Sequence, residues 1–107
     1  MSTRRENIES MLVDDPNDTF LQYALAMELE KEKEHEKSLT ILDKLSKGSP
    51  PYVPAFFMAG QQLAKLGRVN EARTFLREGI EVARSVNDLH AAGEMADFLA
   101  SLGELGE

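Results

Sequence analysis

The chain has 107 residues, of which 42% are hydrophobic and 29% charged, with no Cys and no Trp. That length accommodates one small domain with a single core and leaves no room for a second, and zero cysteines exclude disulfide frameworks, thiol nucleophiles and Cys-based zinc sites. A net charge of −7, from 12 Lys and Arg against 19 Asp and Glu, opposes the positive field that non-specific nucleic-acid binding requires.

No apolar run reaches the ~20 residues of a membrane span. The stretch Met1-Ser2-Thr3-Arg4-Arg5-Glu6-Asn7 lacks the apolar region of a signal peptide. A cytoplasmic location is therefore expected, with no membrane and no nucleic acid among the partners.

Helix signals dominate, and neither period-2 Val/Ile/Thr runs nor Asn-Gly or Asp-Gly hairpin turns occur. Thr3-Arg4-Arg5-Glu6 has the form of a capping box, followed by Ile8, Met11 and Leu12 at helical spacing. The pattern predicts a short helix over 3–13 that must dock on something, because a helix this short is marginal alone.

Asp15-Pro16-Asn17-Asp18 opens the second helix, with Asp15 suited to the N-cap and Pro16 to the first helical position. Leu21, Leu25 and Leu29 occupy one flank; Phe20, Tyr23, Ala24 and Met27 occupy the next. Together they span more of the circumference than a helix packed on one side needs, so this helix requires a second partner. Glu28 to Lys37 reads as a solvated helix end and turn.

Ser38, Ile41, Leu42 and Leu45 mark the third helix, with Gly48 placed for a left-handed cap and Pro50-Pro51 as a stop. Pro54 starts the fourth, where Phe56, Ala59, Gly60, Leu63 and Leu66 form the buried stripe and Gly67 the end. The fifth opens near Asn70 and repeats that stripe with Ala72, Phe75, Leu76, Gly79, Ile80 and Ala83. Asn87-Asp88 caps a sixth through Leu89, Ala92, Met95, Ala96, Leu99 and Leu102, closed by Gly103, with residues 104–107 expected to fray.

A shift of 34 residues sets Leu25 on Ala59, Ala26 on Gly60, Leu29 on Leu63, Ser38 on Ala72, Ile41 on Phe75 and Leu42 on Leu76. Small residues fall on small and large apolar residues on large. Such a period marks a repeat architecture. Small side chains at Gly60 and Ala72 are expected to let two helices approach where their axes cross, with Leu63 and Leu76 filling the space beside them.

On these residues the sequence resembles the tetratricopeptide repeat family. Residues 53–86 match its pattern through Phe56, Ala59, Gly60, Leu63, Gly67, Ala72, Leu76 and Gly79, with Arg84 in place of the closing proline. Residues 19–52 match through Leu25, Ala26, Leu29, Leu42 and Pro50, whereas Gln22 replaces the aromatic, Lys33 the turn glycine and Ser38 the alanine. The resemblance implies an all-α, right-handed α–α superhelix of antiparallel helix hairpins. Its expected parts are an N-terminal helix (1–14), two repeats within 15–86 (19–52 and 53–86) and a C-terminal capping helix with a tail (87–107).

Catalytic constellations are thin in the sequence. His35 and His90 lack a second His at helical spacing, and Glu34-His35-Glu36 projects in three directions from a helix. No phosphate-binding glycine loop or nucleophile elbow occurs. A non-enzyme without a cofactor or metal is expected, an undetected enzyme or metal site near His35 being the least favoured option.

The resemblance implies instead a protein or peptide partner, held in a concave groove whose positions are Phe20, Tyr23, Met27, Glu30 and Lys31, then Phe57, Gln61, Ala64 and Lys65. Of these it implies Phe20, Tyr23, Met27, Phe57, Gln61 and Lys65 as the binding residues, with Arg68 near the rim. The Lys/Asn/Arg clamp that some family members close on an acidic chaperone tail is not matched, because Tyr23, Met27 and Met58 stand there. Two alternatives use the same apolar surface: homodimerisation through the groove, and self-capping by the first helix through Ile8, Met11 and Leu12.

Overall fold

The computed structural model describes residues 3–106. It contains α1 (Arg4–Asp14), α2 (Thr19–Lys31), α3 (His35–Ser46), α4 (Val53–Lys65), α5 (Val69–Ser85) and α6 (Leu89–Gly106), with no strand among the described residues. Consecutive helices pack as antiparallel pairs into a right-handed stack 45 × 29 × 18 Å in extent.

The helix starts follow local capping chemistry. In α1 the Thr3 N–H donates to Glu6 Oε1 at 2.9 Å, and the Glu6 N–H donates to Thr3 Oγ1 at 3.1 Å. This is the capping box expected from the sequence. The second helix begins later than expected. Asp18, not Asp15, is its N-cap, accepting the Leu21 N–H at 2.9 Å, and Asp15 is the C-cap of α1. Pro16 therefore lies in the connection. At the other end α6 runs through Gly103 to Gly106, so the backbone expected to fray at 104–106 is helical, while Glu107 lies outside the described residues.

Three turns share one geometry. Lys33, Gly67 and Asn87 are left-handed, with φ of 63°, 79° and 62°. In each case the next N–H donates five residues back: Glu34 to Leu29 O at 2.9 Å, Arg68 to Leu63 O at 2.9 Å and Asp88 to Ala83 O at 2.8 Å. One left-handed residue thus reverses the chain and satisfies an orphan helix carbonyl. Gly48 was expected to serve in this way and does not. It has no positive φ, and the link between α3 and α4 is closed by the Tyr52 N–H on Leu45 O at 2.9 Å.

Alanines and leucines fill the core. Ala26, Leu42, Ala55, Ala59, Ala72, Leu76, Ala83 and Met95 are inaccessible to solvent. The close approaches differ in detail from the expected Gly60–Ala72 nesting. Gly60 faces the Leu76 side chain, which a Cβ on Gly60 would meet at 2.8 Å. A second approach sits at Gly79, where a Cβ would lie 2.5 Å from Phe56 Cβ and 2.6 Å from Met95 Sδ. Phe56 and Met95 thus reach α5 from opposite neighbours, α4 and α6, at a place where no side chain stands between.

Ser38 is fully buried at the position that Ala72 holds in the next hairpin. Its hydroxyl donates to Ala26 O at 2.7 Å, which satisfies a buried polar group and ties α3 to α2. Arg73, also buried, plays a comparable part between α5 and α6, donating from Nη2 to Leu102 O at 3.1 Å.

Candidate functional site

The odd-numbered partners of the stack leave α2, α4 and α6 side by side along one face. The side chains assigned to a groove from the sequence fall on this face in two separate groups.

The first group lies on α2. Phe20 is 65% exposed and borders a cavity of about 290 Å³ lined from α1 by Arg4, Asn7, Ile8 and Met11 and from α2 by Leu21 and Ala24. Ile8 is buried in this contact. Ion pairs extend it: Arg4 to Glu28 at 3.3 Å, and Arg5 to Glu32 at 2.7 Å and to Glu34 at 3.1 Å. Glu28 is buried, not part of a solvated end as expected, because α1 passes over it and Lys31 also pairs with it at 3.1 Å.

The excess apolar width of α2 is thereby explained. Its Leu21–Ala24–Glu28 flank receives α1, and Tyr23 turns elsewhere. The Tyr23 ring packs edge-on against Tyr52, with centroids 5.4 Å apart. Burial, with Tyr52 alongside, pushes the Tyr23 hydroxyl up from the ordinary phenol range. Met27 is half-buried.

The second group surrounds a cavity of about 490 Å³ between α2, α4 and α6. Glu30 contributes from α2, Met58, Gln61, Gln62, Ala64 and Lys65 from α4, and Phe98, Ser101 and Leu102 from α6. Phe57 stands beside it, its ring edge-on to Phe98 with centroids 5.9 Å apart. Gln61 and Lys65 therefore line the cavity and Phe57 buttresses its wall, whereas Phe20, Tyr23 and Met27 are not in its lining.

Four lining residues escaped the sequence reading: Gln62, Phe98, Ser101 and Leu102. Two had a legible signal. Gln62 interrupts the buried stripe between Ala59 and Leu63, and Phe98 is a large aromatic beside the docking stripe of the last helix. Gln62 is 2% exposed, and neither its Nε2 nor its Oε1 has a hydrogen-bond partner among the described residues.

Arg68, expected near the groove rim, belongs to the opposite side. It pairs with Glu36 at 2.6 Å and with Glu71, bridging α3 and α5, and borders a separate cavity of about 380 Å³ floored by Leu39, Leu63 and Phe75. The turn that carries Arg68 points away from the α2–α4–α6 face. The histidines are held by carboxylates, His35 Nδ1 lying 2.9 Å from Glu30 Oε2 and His90 Nε2 3.3 Å from Glu94 Oε1. No group of three or more metal-binding side chains occurs among the described residues.

Helix hairpins stacked with small residues at each crossing and a trough along their first helices define a right-handed α-solenoid. The chain has a tetratricopeptide-repeat fold. It is similar to a tetratricopeptide repeat domain protein from Salinibacter ruber, whose solution structure matches at a TM-score of 0.80 and 29% identity over 86% of this chain and 93% of that one. The crystal structure of the Salinibacter ruber domain matches at 0.75 and 29% identity, over 83% and 99%. A Bordetella parapertussis protein solved in solution shares the fold at a TM-score of 0.82 and 24% identity, over 97% and 90%. No protein-family model and no curated protein matches the sequence.

Proposed function

We propose that this chain is a non-catalytic interaction module that takes a peptide or a partner helix in the groove along α2, α4 and α6. In this reading residues 19–52 and 53–86 are the two repeats that build the groove. Residues 1–14 and 87–107 close the two ends of the stack, as the exposed ends of a solenoid require. The single observation that carries the proposal is the cavity of about 490 Å³ shared by three helices. Met58 and Phe98 supply apolar wall and Gln61 and Lys65 polar groups, the mixture that recognition pockets use.

The partner is a protein, since the net charge of −7 repels nucleic acid. No described helix is long and apolar enough to cross a membrane, and we place the module in the cytoplasm.

Affinity capture from lysate with wild type, Tyr23→Ala/Met27→Ala and Gln61→Ala/Lys65→Ala tests the reading. Proteins retained by wild type and lost from either variant, with helical circular dichroism unchanged, are the expected outcome. Identical retention by all three removes the groove from the function.

Self-association is the second reading, favoured by the exposed pair Phe20 and Met11, the latter 51% accessible, at the open edge of α1 and α2. Sedimentation at micromolar and millimolar concentration tests it. A monomer at both excludes the dimer.

A further inference from the structure

The cavity of about 380 Å³ between α3 and α5, on the side away from the groove, is chemically one-sided. Leu39, Leu63 and Phe75 give it an apolar floor. Above the floor stand the carboxylates of Glu36, Asp43 and Glu71 against a single cation, Arg68. That guanidinium is already spent, since it donates to Glu36 Oε1 and to both oxygens of Glu71. Thr40 and Thr74, also in the lining, donate their hydroxyl protons to Glu36 O at 2.9 Å and Asn70 O at 3.2 Å. What the two hydroxyls have left is acceptor capacity.

Two carboxylate oxygens have no partner among the described residues. Glu36 is engaged through Oε1 alone, and Asp43 through Oδ2 alone, by Lys47 of its own helix at 3.0 Å. Both side chains are open to a ligand, at 77% and 46% exposure. A ligand entering here meets apolar surface below and acceptors around it, with no donor to spare.

From this complementarity we infer that the α3–α5 cavity takes a lysine side chain from a partner peptide, as a docking surface independent of the groove along α2, α4 and α6. The methylene stem lies on Leu39, Leu63 and Phe75, and the ammonium takes the free oxygens of Glu36 and Asp43. Long cationic side chains cover apolar surface with their stems in this way while the head stays in polar surroundings. The free acceptors are single oxygens on separate residues, which suits a compact ammonium with donors in several directions. Arginine's planar fork matches both oxygens of one carboxylate, and Arg68 already holds Glu71 in that manner. An apolar side chain would cover the floor and offer the acceptors nothing, and an acidic one would be repelled.

The test is a titration of the ¹⁵N-labelled protein, followed by NMR, to millimolar peptide. The probes are three short capped alanine-rich peptides that differ only in a central Lys, Arg or norleucine, the last being the lysine stem without its ammonium. The Lys peptide is expected to shift the amides of Thr40, Asp43, Thr74 and Phe75. Its affinity should exceed that of the norleucine peptide roughly threefold or more, the scale of exposed ion pairs, and should exceed that of the Arg peptide. Glu36→Gln/Asp43→Asn is expected to abolish the preference for Lys. Glu94→Gln/Asp97→Asn, which removes the same charge from α6, is expected to keep it. Asp43→Asn alone breaks no contact between helices, so it should lower the preference with the urea midpoint unchanged and separates loss of binding from loss of fold.

Equal affinity for the Lys and norleucine peptides overturns the assignment, as does Arg binding as tightly as Lys. A preference that survives Glu36→Gln/Asp43→Asn, or that falls equally in the α6 variant, overturns it in favour of general attraction to an acidic chain. Shifts confined to Gln61, Lys65 and Phe98 overturn it and leave the groove reading standing. No shift with any peptide removes the lysine site and does not bear on the groove, whose own test is the capture experiment above.

Discussion

Gly79 lies against Phe56 so closely that a methyl group on its Cα would stand 2.5 Å from Phe56 Cβ. That atom is fixed to the α4 backbone, so relief requires α4 and α5 to separate. Gly60 is crowded too, but by the branched end of Leu76 at 2.8 Å, which can rotate. Alanine in a helix interior gains about 1 kcal/mol over glycine in propensity, while overpacking costs about 1–3 kcal/mol. Gly79→Ala is therefore expected to lose more stability than Gly60→Ala, with the latter near neutral. Urea unfolding of both variants checks this; equal losses would show that the contact at Gly79 is not backbone-limited.

The shared turn geometry makes a prediction of the opposite sign. Lys33 occupies, at φ 63°, the place where the next hairpin has Gly67 at φ 79°. A side chain in the left-handed region costs about 1 kcal/mol or more, so Lys33→Gly should raise the thermal midpoint and Gly67→Ala lower it. Asn87 tolerates the same conformation better than Lys does, and Asn87→Gly should change little. A fall in the midpoint for Lys33→Gly would mean that the Lys33 side chain contributes something its backbone strain conceals.

The repeat was legible in the sequence because it is written in side-chain size, and size decides where helices can touch. Ala59, Gly60, Ala72 and Gly79 needed no knowledge of contacts to be placed at crossings. Arg68 and Glu28 were misplaced for the converse reason. A long charged side chain on a helix end points wherever its partner lies, and the partners Glu36 and Arg4 come from distant helices. The groove was half legible. Gln61 and Lys65 follow from the resemblance to the tetratricopeptide repeat, whereas the contribution of α6, through Phe98 and Leu102, depends on how the last helix leans over α4. No periodicity encodes that lean.

Ser38 and Ala72 are equivalent by the 34-residue period, as are Ala26 and Gly60. Since Ser38 Oγ donates to Ala26 O at 2.7 Å, a hydroxyl placed at residue 72 should find the Gly60 carbonyl. Ser38→Ala is expected to lose about 0.5–1.5 kcal/mol with the hydrogen bond. Ala72→Ser should be tolerated within about 1 kcal/mol, and Ala72→Leu should lose about 1–3 kcal/mol by overpacking. Denaturant midpoints for the three variants decide the matter; Ala72→Ser as damaging as Ala72→Leu would show that the two hairpins cross differently.

Acid should loosen the stack through its turn carboxylates. Hydrogen bonding to Arg68 holds the Glu71 carboxyl below its ordinary value of 4.5. Lys37 first and Arg5 second do the same for Glu34, as the Thr3 backbone N–H and hydroxyl do for Glu6. A carboxyl depressed in the folded state contributes stability that is complete above its unfolded pKa and vanishes as pH falls through the lower folded value. All three groups face solvent, so the contribution is small and sensitive to salt. The urea midpoint is expected to hold from neutral pH down to the ordinary carboxylate range and to decline below it. Glu71→Gln should lie below wild type at neutral pH, and the gap should close in acid as Glu71 itself becomes protonated. Added salt should narrow the gap at neutral pH as well. A gap that stays constant across the acid range would mean that Glu71 acts through packing and that its charge on Arg68 contributes nothing to the stack.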